Sequence, residues 1–92
     1  MNKTEIRANL HIFNNKLWNK NQTILGFNIA YVAWHGNPWK VLHNNKTFND
    51  ATATEPYESK YGYELSRLTY EPIATFKKQN ELVNYLHEKL EG

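Results

Sequence analysis

Ile6, Leu10, Phe13 and Leu17 recur at i, i+4, i+7 and i+11, the spacing that gathers side chains along one stripe of a helix. Asn2 or Thr4 can cap the start, and Asn2 followed by Glu5 has the spacing of a capping box. The cluster Asn19-Lys20-Asn21-Gln22 is expected to end this helix. The pattern then changes. Ile24 to Trp34 and Trp39 to His43 are rich in Val, Ile, Tyr, Trp and Phe, which suit a pleated surface, and Gly36-Asn37-Pro38 separates them. They read as an antiparallel pair.

The register of that pair has two readings. Trp34 opposite Trp39 places Ala30, Val32, Val41 and both indoles on one face; His35 opposite Trp39 groups Tyr31, His35, Trp39 and His43. The first gives the more continuous apolar face and is preferred, because a slip of one residue turns each side chain of the slipped strand over. Residues 44–60 are polar and without period, so a long loop is expected there. Tyr61, Tyr63 and Leu65 alternate as in a strand, while Tyr57, Tyr61, Leu65 and Leu68 also fit a helix; Gly62 inside a helix costs about 1 kcal/mol relative to Ala and favours the strand. Glu71-Pro72 turns the chain into a short strand, Ile73 to Phe76. Leu82, Val83, Leu86 and Leu90 then line a closing helix from about Lys78, with Gly92 as a possible C-terminal cap. The fold class is therefore α+β: an N-terminal helix, a three- or four-stranded antiparallel sheet, and a C-terminal helix packed on the sheet. The whole of 1–92 reads as one small domain.

Composition narrows the chemistry. The chain of 92 residues has no cysteine, which removes disulfides, thiolate zinc sites and thiol catalysis and fits a reducing, cytoplasmic setting. No apolar run approaches the ~18 residues of a membrane span, and the polar N-terminus does not read as a signal peptide. Net charge is +2, too small to imply a polyanion partner, although Lys3, Arg7, Lys16 and Lys20 outweigh Glu5 at the N-terminal end. The abundance of Asn, Lys, Ile and Tyr suits a low-GC bacterium or its phage.

No catalytic, metal or cofactor constellation is read from the chain. His35 and His43 share a face only in the less favoured register and lack a third ligand, Ser59 and Ser66 lie outside any nucleophile-elbow context, and the glycines are too scattered for a phosphate loop. An enzyme is not expected. The candidate contact residues are a helix ledge and a set of rings. Arg7, His11, Asn14 and Trp18 follow the helical rhythm about 100° round from the apolar stripe. With Trp34, His35, Trp39 and Tyr57, they supply the residue types that anchor protein interfaces. The expected function is a small protein-binding module, an inhibitor, adaptor or regulator that occludes a partner's surface; a phage-encoded antagonist of a host protein is one form of it. The alternative is nucleic-acid binding, with bases stacked on Trp34, Trp39 and Tyr63 and phosphates neutralised by Lys16, Lys20, Lys40, Lys46 and Arg67. Monomer and homodimer are both compatible with the chain, since an exposed sheet edge pairs readily.

Overall fold

A computed structural model of the chain describes residues 1–14 and 21–92. It is an α+β fold in which a four-stranded antiparallel sheet carries helices on both faces. Helix α1 spans Lys3–Asn9 and tightens into a 3-10 turn over Leu10–Asn14. The Asn2 side chain caps it, accepting the Glu5 N–H at 2.8 Å. Ile6, Leu10 and Phe13 are buried as the stripe requires, and the continuation through Leu17 to Trp18 lies outside the described residues.

The sheet runs β1 (Asn21–Ile24), β2 (Phe27–Tyr31), β3 (Trp39–Leu42) and, after an excursion, β6 (Ala74–Phe76), in the order β1-β2-β3-β6. The expected first strand from Ile24 is in fact a hairpin bent at Leu25-Gly26, and Asn21 and Gln22 are its first strand, not the end of a helix. Leu25 and Gly26 both have positive φ, 53° and 86°, the two-residue turn whose twist matches a hairpin. Leucine is disfavoured in that conformation, so only Gly26 signals the turn.

The register of β2 with β3 is neither of the two read from the sequence: Tyr31 pairs with Trp39, Ala30 with Lys40, Ile29 with Val41 and Asn28 with Leu42. Strand β2 stops at Tyr31 because the chain needs a wider turn than Gly36-Asn37-Pro38. The Val32 N–H donates to the Pro38 carbonyl at 2.9 Å, and residues 33–37 form the loop. Trp34 and His35 therefore sit on a loop, off the pleated surface.

One sheet face buries Ile29, Trp39 and Val41 against Ile6, Leu10 and Phe13 of the N-terminal helical segment and Leu82, Val83 and Leu86 of helix α3 (Gln79–Glu91). The opposite face holds a smaller cluster of Ala30, Leu42 and Ala51, with Tyr70 packed on it. Ala51 belongs to α2 (Phe48–Thr52), which, with the strand that follows it, replaces the expected loop. Asp50 fixes its start: the carboxylate accepts the Thr47 N–H at 2.8 Å and the Thr47 hydroxyl at 3.1 Å.

A buried amide ties α2 to the sheet. Asn28, 5% exposed, donates to the carbonyls of His43 (2.9 Å) and Lys46 (2.7 Å) and accepts from the Asn21 amide at 2.9 Å. Asn21 in turn accepts the Phe48 N–H at 3.0 Å. These bonds satisfy groups that would otherwise be costly to bury.

The excursion before β6 is a second, two-stranded sheet, β4 (Thr54–Glu58) with β5 (Glu64–Leu68). Within 61–70 the strand is Glu64–Leu68, while Tyr61 to Tyr63 belong to the turn before it, so the strand reading holds for the second half of the segment only. Its tip is built by Ser59, whose hydroxyl oxygen accepts the Tyr61 and Tyr63 N–H groups, and by Gly62 at φ 82°. Among the described residues no helix or sheet covers either face of the arm: every residue of it is exposed except the half-buried Tyr57 and Ser59.

Candidate functional site

The sequence-read contact residues are dispersed. Arg7 is exposed on α1, and its Nε donates to Asn80 Oδ1 of α3 at 3.3 Å, so it clasps the two helices. His11 is exposed on the 3-10 turn, where Nδ1 lies 3.2 Å from the Asn14 amide. Trp18 lies outside the described residues. Trp39 is 8% exposed and packs edge-on against Phe13, with ring centroids 5.5 Å apart, and against Tyr31 at 4.7 Å. It is a core ring, because its β3 position faces the helices.

Trp34 does the opposite. Placed on the loop, it is 63% exposed and braced edge-on by Phe48 at 5.8 Å and by His35 at 5.8 Å. Tyr57 is half-buried on the arm under the Arg67 guanidinium, 5.3 Å from the ring centroid, and Arg67 Nε donates to Glu55 Oε1 at 2.8 Å.

His35 and His43 stand before and after β3 and do not meet. His43 belongs to a separate clip: its backbone N–H donates to the Tyr70 hydroxyl oxygen at 2.9 Å, and its Nδ1 lies 2.6 Å from the same oxygen. The Tyr70 hydroxyl thus ties both the backbone and the imidazole of His43 in place. Among the described residues no group of three or more His, Cys, Asp and Glu converges as a metal site. No helix there is long and apolar enough to cross a membrane.

Two surfaces remain, and sequence reasoning reached neither as a unit. The first is the arm, which exposes Tyr61 (73%), Tyr63 (68%), Leu65 (44%) and Leu68 (40%). Its hydrogen-bonding phase follows from its two ends, where the Thr69 N–H donates to the Ala53 carbonyl and the Ser59 N–H to the Tyr63 carbonyl. Given the pairing of Thr54 with Leu68 through Glu58 with Glu64, odd residues bond inward and even residues face out. Pro56 therefore faces the outer edge of β4 and leaves it without a donor there, while Glu64, Ser66 and Leu68 give β5 an unbroken outer edge.

The second surface is a groove of about 540 Å³ at the arm's base, lined by Trp34, His35, Lys40, Leu68, Pro72 and Thr75 among others. Lys40 is 3% exposed on the sheet face opposite the main core, and its ammonium donates to the Asn37 carbonyl at 3.0 Å. Burial lowers its pKa from the ordinary lysine value. Burial also lowers the pKa of His35, with the positive charge of Lys40 adding to the effect, and the imidazole Nδ1 is buried with no hydrogen-bond partner among the described residues.

The nucleic-acid reading loses Trp39 from its stacking platform and Lys40 from its cations, both buried, and its Lys16 and Lys20 lie outside the described residues. Compared with known protein families, curated proteins and solved structures, the chain matches none of them.

Proposed function

We propose that this chain is a small protein-binding module that acts by covering a partner's surface, as an inhibitor, adaptor or regulator. The observation that supports the reading is the arm: fifteen residues, 54–68, held away from the core with tyrosines and leucines facing solvent. Two-stranded hairpins without a covered face are marginal on their own, so a chain gains little fold stability from such an element. Its rings and its open β5 edge offer instead what partner chains use, desolvatable aromatic anchors and a row of backbone donors and acceptors. Surface occlusion needs no reacting group, and an intracellular antagonist from a low-GC bacterium or its phage is the form of it that the Asn, Lys, Ile and Tyr bias suits.

The double variant Tyr61→Ser/Tyr63→Ser tests the reading, since both positions are exposed and the fold does not lean on them. Wild type is expected to retain a discrete protein from extracts of such a bacterium, and the variant to lose it at unchanged thermal stability. Equal retention by both proteins overturns the reading. So does tight, steeply salt-dependent quenching of tryptophan fluorescence by single-stranded DNA or RNA, which is the signature of the nucleic-acid alternative.

A further inference from the structure

Lys40 poses a problem of charge. A buried ammonium is ordinarily held by a carboxylate, because desolvation costs more than a neutral hydrogen bond returns. Lys40 is 3% exposed, has one hydrogen-bond partner, the Asn37 carbonyl, and forms no salt bridge among the described residues. An ammonium has three donors, so its capacity is unfilled.

Beside it in the groove stands His35, whose buried Nδ1 is also unpartnered. The remaining wall is apolar or neutral: the exposed face of Trp34, with Leu68, Pro72 and Thr75. A structural lysine needs none of this. A groove with one desolvated positive charge, a second unfilled polar atom and an indole at its rim is complementary to an anion carried on an apolar stem.

We infer that the groove at the arm's base binds a carboxylate side chain of the partner protein, with the Lys40 ammonium as its counter-ion and His35, in its Nδ1–H tautomer, as a second donor. The inference rests on the protein-binding reading and names the partner's chemistry at this spot: a Glu or Asp beside an apolar residue that packs on Trp34. The lowered pKa of Lys40 agrees with a charge awaiting its partner, and occupation by a carboxylate returns that pKa upward.

The probe is a capped peptide with two glutamates flanking a leucine, set against its glutamine twin and against inorganic phosphate, and followed by NMR of the full chain. The glutamate peptide is expected to shift the Trp34 indole N–H and the Lys40 side-chain signals saturably. Lys40→Met, which keeps the stem and removes the charge, is expected to weaken that binding about tenfold or more. The glutamine peptide is expected to bind no better to wild type than to the variant. Lys40→Met must also fold, with a melting temperature at or above wild type, since it removes an unpaired buried charge.

Equal shifts from both peptides, or unchanged binding by Lys40→Met, overturn the inference. A sharp fall in melting temperature also does so, by making Lys40 a structural donor to Asn37. Saturation by phosphate at lower concentration than the peptide assigns the groove to another anion and equally refutes it. Lost peptide binding with partner capture intact removes this site alone, whereas lost capture with peptide binding intact removes only the arm.

Discussion

Strand β3 lies between two neighbours and is buried along its whole length, whereas β5 lies beside one neighbour and is exposed along its whole length. Both are short antiparallel strands that mix charged and apolar residues, Lys40 in β3 and Glu64 and Arg67 in β5, so the presence of charge does not separate them. Coverage does. β3 has α3 and the N-terminal helix on one face and the α2 cluster on the other, and its rings and aliphatic groups gain stability by leaving water. β5 has only its cross-strand pairs with β4, among them Glu58 opposite Glu64, two like charges that oppose the pairing. The difference teaches that most of this fold's stability lies in the covered sheet and that the arm adds little to it.

The sharpest way to break that comparison is a matched pair of leucines. Leu82→Ala in α3, fully buried, is expected to cost about 2–5 kcal/mol in urea denaturation, and Leu65→Ala in the arm less than about 0.5 kcal/mol. Similar losses at the two positions would mean that the arm is packed after all.

Asn28→Ala is expected to cost about 2–3 kcal/mol by the same measurement, because it strips the His43 and Lys46 carbonyls of their buried partner. The α2 signals should broaden with it.

Lys40→Met should go the other way, stabilising by about 1 kcal/mol near neutral pH. The sign follows from linkage. The folded pKa of Lys40 lies below that of the unfolded chain, so between them the unfolded state holds more protons and stability rises with pH up to about 10.5. The wild-type-minus-variant stability difference should therefore shrink as pH climbs through that window, read from paired melts. His35, also lowered, gives stability present above its ordinary pKa of 6.5 and lost as pH falls through the folded value.

Arg67→Ala is likewise expected to change global stability little. Exposed ion pairs contribute about 0.2–1 kcal/mol, but the arm amides of Tyr57 and Leu65 should exchange faster in the variant while those of Ile29 and Val41 keep their protection.

Much of the fold was legible before any coordinates. The Asn2 cap, the stripe of Ile6, Leu10 and Phe13, and the closing helix with Leu82, Val83 and Leu86 follow from periods that tertiary structure did not override. What was missed has local causes. The Leu25-Gly26 turn hides because leucine rarely takes positive φ, and the β2–β3 register because a loop of residues 33–37 removed Trp34 and His35 from the strand. The Thr47-x-x-Asp50 box was present in the sequence as a helix start and was masked by the polarity around it. The groove was not legible at all: Lys40, Leu68 and Pro72 come together only through the return of β6 to β3.

Pro56 carries a consequence beyond its own strand. A guest peptide that zips onto β5 finds a complete ladder, yet the far flank of the hairpin is missing a rung and does not hand the pattern on to a third chain. The two edges of the arm are thereby unequal as templates for strand addition, β5 being the complete one. On the β4 side the missing donor works against the open-ended stacking of strands that builds fibres.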